Sequence, residues 1–422
     1  MSGQVGNNIL RTSGVVAATA AGLNWVSTVV TASTLTAEAG NGYFINTTSN
    51  TCTITLPASA EAGDQIVLMD YLRTWGTNKI IIDSNGLNYQ GEDDTYIVEY
   101  DTNGETVNIV YADATQGWIP LDDDVVADAP TPPPPQKAIF GFGTISGFTA
   151  ITNLVNSSGV VATDTSGVGT IRDQLGAAGY GDDKAIFGYG DAGAPTMYSL
   201  TNLVSNSGVV ASDTTGVGTA RSYIEATTYG FDKAIFAYGG TPSYVSMSNL
   251  VSNVGVVGTD VSGVGTARGY LGAATYGSTG QAIFGYGTTG STTAVTNLVS
   301  NVGVVAADVS GVGTARNGLA ATSYGTDKAI FGYGTTGSFV SMTNLVNNSG
   351  VVAADVTGVG SVRAYLAAAG YGGDKAIFGY GYTGSNTAIT NLVNNSGVVA
   401  TDVTGVGTAR RGLEAAGYSL SA

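Results

Sequence analysis

The sequence of 422 residues contains no histidine, a single cysteine and only 11% charged residues. Without imidazole there is no Ser-His or Cys-His triad, no His-ligated metal and no His acid or base, which leaves catalysis to carboxylate, lysine or tyrosine groups. Cys52 alone excludes an internal disulfide and a cysteine-based metal cluster. Bases are scarce: residues 1 to 136 hold 16 acids against Arg11, Arg73 and Lys79, and the remainder is nearly neutral, 15 against 12. No basic stripe is available to neutralise phosphates, which argues against a nucleic-acid partner. The net charge of -16 reads as a soluble, self-repelling surface. The start, MSGQVGNNIL, has no basic region leading into a long apolar stretch, and the run Gly14 to Leu23 is broken by Thr19. Neither a signal peptide nor membrane insertion is expected, and folding in a cytoplasm is.

What the chain has is glycine, 63 residues of it, within a composition that is 43% hydrophobic. That combination reads as turn chemistry in an all-β protein. The string AIF recurs behind Lys137, Lys184, Lys233, Gln281, Lys328 and Lys375, at offsets of 47, 49, 48, 47 and 47. Each copy runs on through an aromatic-Gly pair (Phe142-Gly143, Tyr189-Gly190, Tyr333-Gly334), TNLV or SNLV, GVV, an Asp, and GVG before an Arg. Four strands fit each unit: A (Ala364 to Tyr371), B (Lys375 to Tyr380), C (Ala388 to Val393) and D (Val398 to Val403), with Gly372-Gly373-Asp374 and Asn394 to Gly397 as turns. Repeats of about 40 to 50 residues with four strands point to propeller blades. The first copy opens on strand B and the chain finishes on an unpaired strand A, Arg411 to Ser419. The expectation is therefore a six-bladed β-propeller over 137–422, closed by the C-terminal strand within the first blade, with small residues on strand A suiting the crowded axis.

Residues 125–136 hold four successive prolines in DAPTPPPPQ, a semi-rigid spacer. Residues 34–124 read as an antiparallel β-sandwich, with strands at Gly42 to Asn46, Thr51 to Leu56, Gln65 to Met69, Lys79 to Ile82, Tyr96 to Tyr100 and Thr106 to Tyr111. Residues 1–33 match neither half and are expected to form a docking arm.

An Asp stands eight residues before an Arg in every copy: Asp164 and Arg172, Asp213 and Arg221, Asp260 and Arg268, Asp308 and Arg316, Asp355 and Arg363, Asp402 and Arg410. Such a ring offers a place for an anion or a metal. A site tuned to a ligand is rarely repeated unchanged six times, so the expected role is structural, each Arg bridging strands or blades through charge-assisted bonds. Glycosidase chemistry needs two neighbouring carboxylates, and Glu225 and Glu414, the only Glu in the repeats, sit in different copies. No catalytic residue, cofactor or metal is expected. Glu92-Asp93-Asp94 and Asp122-Asp123-Asp124 lack the ligand spacing of a Ca²⁺ loop and read as solvated turns. Trp25, Trp75 and Trp118 read as core or subunit packing.

The copies differ most in the B to C connection and in the two residues after each Arg. In an antiparallel blade both sets emerge on one face, which carries Phe148, Tyr198, Tyr244, Phe339 and Tyr382 from the first set and Tyr223, Tyr270 and Tyr365 from the second. Aromatic rings among Ser, Thr, Asn and Gly suit a sugar or a protein surface, which makes this the expected ligand face.

The stretch Arg363 to Gly381 resembles kelch repeats of the galactose-oxidase-like propellers, though most copies lack the Gly-Gly doublet (Gly239-Gly240 is the exception) and no blade contains Trp. The copper chemistry of galactose oxidase is not implied, because its copper site uses His. GYFINTTSNTCTITLPASAEAGDQI (Gly42 to Ile66), TWGTNKIIID, TQGWIP (Thr115 to Pro120) and the KAIFGYG and GVVATD repeats resemble virion proteins of tailed bacteriophages, especially marine cyanophage-like tail fibres. The resemblance implies a virion structural protein, a tail fibre or tail-tip adhesin used in host attachment. The N-terminal region would bind other virion proteins, the propeller a host-surface glycan or protein, and the assembly would be a homo-oligomer, as in trimeric fibres. The alternative is a non-adhesive decoration of capsid or tail.

Overall fold

The computed structural model describes residues 23–121, 135–193 and 195–421. Among these, every regular element is a β-strand, in eight sheets, and no helix is long and apolar enough to cross a membrane. The described residues fall into two compact units, one on each side of residues 122–134. The proline-rich stretch, Asp122-Asp123-Asp124 and the first 22 residues of the expected arm lie outside the described residues.

In the first unit β1 (Asn24–Trp25), β3 (Asn41–Ile45), β5 (Gln65–Asp70), β8 (Thr106–Tyr111) and β9 (Trp118–Pro120) form one sheet in that order. The second sheet runs β2 (Thr34–Thr36), β4 (Cys52–Thr55), β6 (Ile80–Asp83) and β7 (Val98–Tyr100). The expected antiparallel pairing holds only for β6–β7, β5–β8 and β8–β9. β1–β3–β5 and β2–β4–β6 are parallel, because the chain crosses to the opposite sheet after each strand and returns one strand further along. Short β-branched segments between turn residues look alike whether the connection is a hairpin or a crossover. β1 and the Val30–Ile45 bridge also bring residues 24–30 into the first sheet, which removes this part from the expected arm.

Side-chain alternation supplies one core between the sheets: Tyr43 and Ile45, Cys52 and Ile54, Ile66 and Leu68, Ile80 and Ile82, Val107 and Ile109 all point inward. Trp75 and Trp118 are fully buried there, whereas Trp25 is 40% exposed and stacks on Phe44 at 4.8 Å. Asp70 accepts the backbone N–H groups of Thr74, Trp75 and Gly104 at 2.9–3.2 Å, fixing the turn that seats Trp75.

The second unit contains six three-stranded sheets. They are β10 (Lys137–Gly141) with β11 (Thr152–Val155) and β27 (Glu414–Tyr418); β12 (Gly176–Tyr180), β13 (Lys184–Gly188), β14 (Thr201–Val204); β15 (Glu225–Tyr229), β16 (Lys233–Ala237), β17 (Ser248–Val251); β18 (Gly272–Tyr276), β19 (Gln281–Gly285), β20 (Thr296–Val299); β21 (Ala320–Tyr324), β22 (Lys328–Gly332), β23 (Thr343–Val346); and β24 (Ala367–Tyr371), β25 (Lys375–Gly379), β26 (Thr390–Val393). The C-terminal strand β27 pairs antiparallel with β10, Lys137 opposite Tyr418 and Gly141 opposite Glu414.

The expected strand D is not a continuous strand. In the sheet of β26 it touches its neighbour only through Val393–Val399 and Thr390–Val403. Between these points Asn391 Nδ2 donates to Ala400 O and Asp402 Oδ1, both at 3.0 Å, so a side chain takes the place of part of the ladder and the segment bows around it.

Neighbouring sheets meet through a repeated fit. A Cβ on Gly141 would lie 2.8 Å from Phe187 Cζ, and Gly188–Phe236, Gly285–Phe331, Gly332–Phe378 and Gly379–Phe140 repeat the contact at 2.7–2.8 Å. Five of the six central strands therefore end in a glycine that leaves room for the phenylalanine of the next sheet, and β16 ends in Ala237, which packs in the same cluster as Phe284. Turns after the first strands are also linked: Gly181 N–H donates to Asp232 O, Gly230 to Gly280, Gly277 to Asp327, Gly325 to Asp374, Gly372 to Gln136 and Ser419 to Asp183, at 2.7–3.0 Å.

Candidate functional site

The arginines come first because they fix the loops that carry the variable residues. Arg172, Arg221, Arg268, Arg316, Arg363 and Arg410 are fully buried. Arg172 Nε donates to Tyr189 O at 2.7 Å, Nη1 to Thr170 O at 2.9 Å and Nη2 to Asn202 Oδ1 at 2.8 Å, with Cζ 4.3 Å from the Phe142 ring of the preceding sheet. Burial pulls its pKa down to about 10, with Asp213 and Tyr198 opposing the shift. The aromatic-Gly pair explains the platform: Phe142 and its five equivalents take φ of 63–65° and the following glycines 94–105°. A Cβ on Gly143 would stand 2.7 Å from Arg411 O, so only glycine completes this turn.

Of the two expected arrangements, bridging strands or bridging sheets, the contacts follow the second. Asp164 does not serve Arg172; each of the first five Arg has as its electrostatic partner the Asp that follows 39 to 41 residues later, as in Arg172 with Asp213, Arg221 with Asp260 at 3.9 Å and Arg316 with Asp355 at 4.0 Å, and Arg410 is served by Asp164. The eight-residue spacing runs from the end of one sheet into the start of the next, so the two groups belong to different sheets. Thr170 completes the tie, donating N–H and Oγ1–H to Asp213 at 3.0 and 2.7 Å. These contacts join consecutive sheets.

Directly after the arginines lies a second cycle of backbone bonds. Tyr223 N–H donates to Gln174 O, Tyr270 to Tyr223, Gly318 to Tyr270, Tyr365 to Gly318, Gly412 to Tyr365 and Gln174 to Gly412, at 2.8–3.2 Å. All six residues have positive φ, from 52° to 62°. The preceding residues bridge to the other variable connection, as in Ser222–Gly240, Ala364–Tyr382 and Asp173–Asp191, so the two variable sets are hydrogen-bonded neighbours.

All eight aromatics of the expected face are partly exposed, and they fall into separate groups. Tyr223 and Tyr270 stack at 4.3 Å, Tyr365 meets Tyr270 edge-on at 5.7 Å, and Tyr244 packs beside Tyr223 over Gly269. Phe339 and Tyr382 form a T-shaped pair at 5.8 Å. Phe148 lies against Gly193, and Tyr198 lies near Arg172, away from these clusters.

Polar residues at the same variable positions went unselected in the sequence reading. Arg411 lies with Cζ 4.4 Å from the Tyr382 ring, and its field reaches Asp173. Asp173 is buried and accepts from Thr144 Oγ1 at 2.6 Å; burial pushes its pKa up to about 6, with Asp191 adding to the rise and Thr144 and Arg411 opposing it. The signal that marks them is departure from the repeat, since Asp173 and Arg411 stand where other copies have Ser222, Gly269, Asn317 and Ala364.

Glu225 and Glu414 are also brought together, against expectation. They open β15 and β27, which both pack on β12, and each carboxyl is pushed well up, by burial first and, at Glu225, by the charge of Glu414. No group of three or more potential metal ligands occurs among the described residues. No known protein family matches the sequence. None of the curated proteins is significantly similar to it.

Proposed function

We propose that the second unit is a six-bladed β-propeller closed by β27, and that the chain is a tailed-phage virion protein, a tail fibre or tail-tip adhesin whose propeller contacts a host-surface glycan. The pairing of β27 with β10, the two cycles of inter-sheet hydrogen bonds and the serial Phe-Gly fit support the ring. Virion location rests on the resemblance of Gly42 to Ile66, Thr115 to Pro120 and the repeats to tail-fibre proteins, with the front unit docking on other virion proteins within a homo-oligomer. The observation that carries the binding role is the meeting of both variable sets, with their partly exposed aromatics, on one side of an otherwise uniform scaffold. Many copies on a particle add weak sites through avidity.

The role is binding and not catalysis. Glu225 and Glu414 are close enough to interact, yet they lie behind the hydrogen-bonded cycle of Gln174 to Gly412. Neighbours in such a ladder stand about 5 Å apart, so six of them leave an aperture fit for water or an ion and too narrow for a sugar.

Two measurements test this reading. Immunogold labelling with antibody to the full chain should decorate the tails of the encoding phage, and purified full chain should slow adsorption of those particles to host cells. Label on the capsid together with unchanged adsorption supports a non-adhesive decoration protein instead.

A further inference from the structure

The scaffold is repeated six times, so information about a ligand resides where the repeats disagree. The six residues of the Gln174–Gly412 cycle are Gln174, Tyr223, Tyr270, Gly318, Tyr365 and Gly412. All take a left-handed backbone conformation, which the fold fills with glycine twice. Tyr223, Tyr270 and Tyr365 hold φ of 55–57° there, a conformation that costs a non-glycine residue about 1 kcal/mol. The backbone therefore does not ask for these tyrosines. Their rings pack on one another instead, Tyr223 stacked on Tyr270 and Tyr365 set edge-on to Tyr270.

On the opposite side of the same cycle the character changes. A Cβ on Gly412 would meet Gln174 Nε2 at 3.0 Å and Asp173 Oδ2 at 3.1 Å, so the amide and the carboxylate converge over this glycine. Arg411, stacked on Tyr382, adds its guanidinium. Among the described residues neither the Gln174 amide nor the Arg411 guanidinium has a hydrogen-bond partner, whereas each scaffold Arg has two or more. Flat apolar rings thus face unspent donors and a carboxylate acceptor around one small rim.

We propose that this rim is a sugar subsite for a neutral pyranose, with its apolar C–H groups in the angle between Tyr270 and Tyr365 and Gln174, Asp173 and Arg411 on its hydroxyls. Hydroxyls both donate and accept, which matches an acceptor and two donors set side by side. Asp173 and Asp191 repel an anionic sugar and Arg411 repels a cationic one. The ligand rests on the rim, because the cycle beneath is too tight to admit it. This inference rests on the glycan-contacting role proposed above and narrows it to one place on the ring.

The test is saturation-transfer NMR and titration of the full chain with methyl glucoside, methyl galactoside, N-acetylglucosamine and glucuronate. At least one neutral pyranose should take up saturation from tyrosine ring protons. Tyr270→Gly and Arg411→Ala should each weaken its binding by about tenfold or more, while Val254→Ala, an exposed position in the turn after β17 and outside both variable sets, leaves it unchanged. Tyr270→Gly is suited to the test because Gly318 and Gly412 show that the cycle accepts glycine; circular dichroism should be unaltered. Absence of binding by all three neutral sugars, preference for glucuronate, or equal binding by wild type and Tyr270→Gly overturns the proposal. If the sugar binds at this rim but does not compete with adsorption to host cells, the subsite stands and the adhesin reading falls.

Discussion

Arg410 Nε donates a 2.8 Å hydrogen bond to the carbonyl oxygen of Phe142, 268 positions earlier in the chain. The same bond joins Arg172 to Tyr189, Arg221 to Tyr238 and Arg316 to Tyr333 across only 17 positions. Arg410 also lies 4.3 Å over Tyr380, as each of its equivalents lies over the aromatic of the sheet before. The junction that β27 makes with the first sheet thus shares its frame with the internal junctions but lacks one bond: Arg410 Nη2 and Asn153 Oδ1 are buried without a partner among the described residues, where Arg221 Nη2 reaches Asn249 Oδ1.

The shared frame predicts that both arginines are needed, and the missing bond that Arg410 is needed somewhat less. Arg221→Ala removes three hydrogen bonds and a stacking contact and leaves buried acceptors unpaired, a loss of about 3 kcal/mol. Arg410→Ala removes two hydrogen bonds and the same stacking contact and should cost somewhat less in chemical denaturation, and Lys should rescue neither, because it lacks the planar fork. A near-neutral Arg410→Ala beside a damaging Arg221→Ala would mean that the ends are not held as drawn.

Removal of residues 411–422 should be far more damaging than either substitution. It strips β27 from β10 and uncovers Ile139, Phe140 and the inner edge of the first sheet. Aggregation or a lost cooperative transition is expected in thermal melts; an unchanged melting point would contradict the pairing.

Stability should fall at both ends of the pH scale, for opposite reasons. For Asp164, Asp213, Asp260, Asp308, Asp355 and Asp402 burial pushes the pKa up, but a Thr or Ser hydroxyl, an Asn amide and the nearby Arg outweigh it, leaving all six low. Their contribution is present above the unfolded value of about 4 and disappears as pH drops through the folded values. Glu225 and Glu414 are raised, so their contribution is present below about 4.3 and is lost as pH climbs through the folded values. Glu225→Gln with Glu414→Gln should therefore raise the melting temperature at pH 8 and much less at pH 5. A pH-independent difference would show that the two carboxyls do not titrate as a buried pair.

In the first unit Gly117→Ala should be severe. A Cβ there would lie 1.7 Å from Asn88 O, at a φ of +66°, in the turn that lets Trp118 N–H reach that same oxygen. A loss of at least about 3 kcal/mol is expected, read from the near-UV signal of the buried tryptophans. Wild-type stability would contradict this backbone path.

Sequence periodicity located the strands well because alternation and turn residues are local properties. Ile54, Ile66 and Ile80 point inward as their spacing requires, and the Arg411 to Ser419 segment joins the sheet begun at Lys137. Strand direction in the front unit was not legible, since hairpins and crossovers there use the same short polar connections. The Asp-Arg partnership was legible only as a bridge between strands or between sheets: spacing of eight residues does not choose between them, and the partner Asp stands one sheet-length away along the chain. The rim was half legible. Its tyrosines were visible as aromatic residues in variable positions, but Asp173, Gln174 and Arg411 gain meaning only when the cycle of backbone bonds sets them side by side.

Adsorption of the purified full chain to host cells tests the account most directly, with wild type compared with a Tyr244→Ala, Phe339→Ala double variant that keeps the wild-type melting profile. Wild type should adsorb and slow phage attachment, and the double variant should lose both properties. Adsorption retained at the wild-type level by the folded double variant would contradict it.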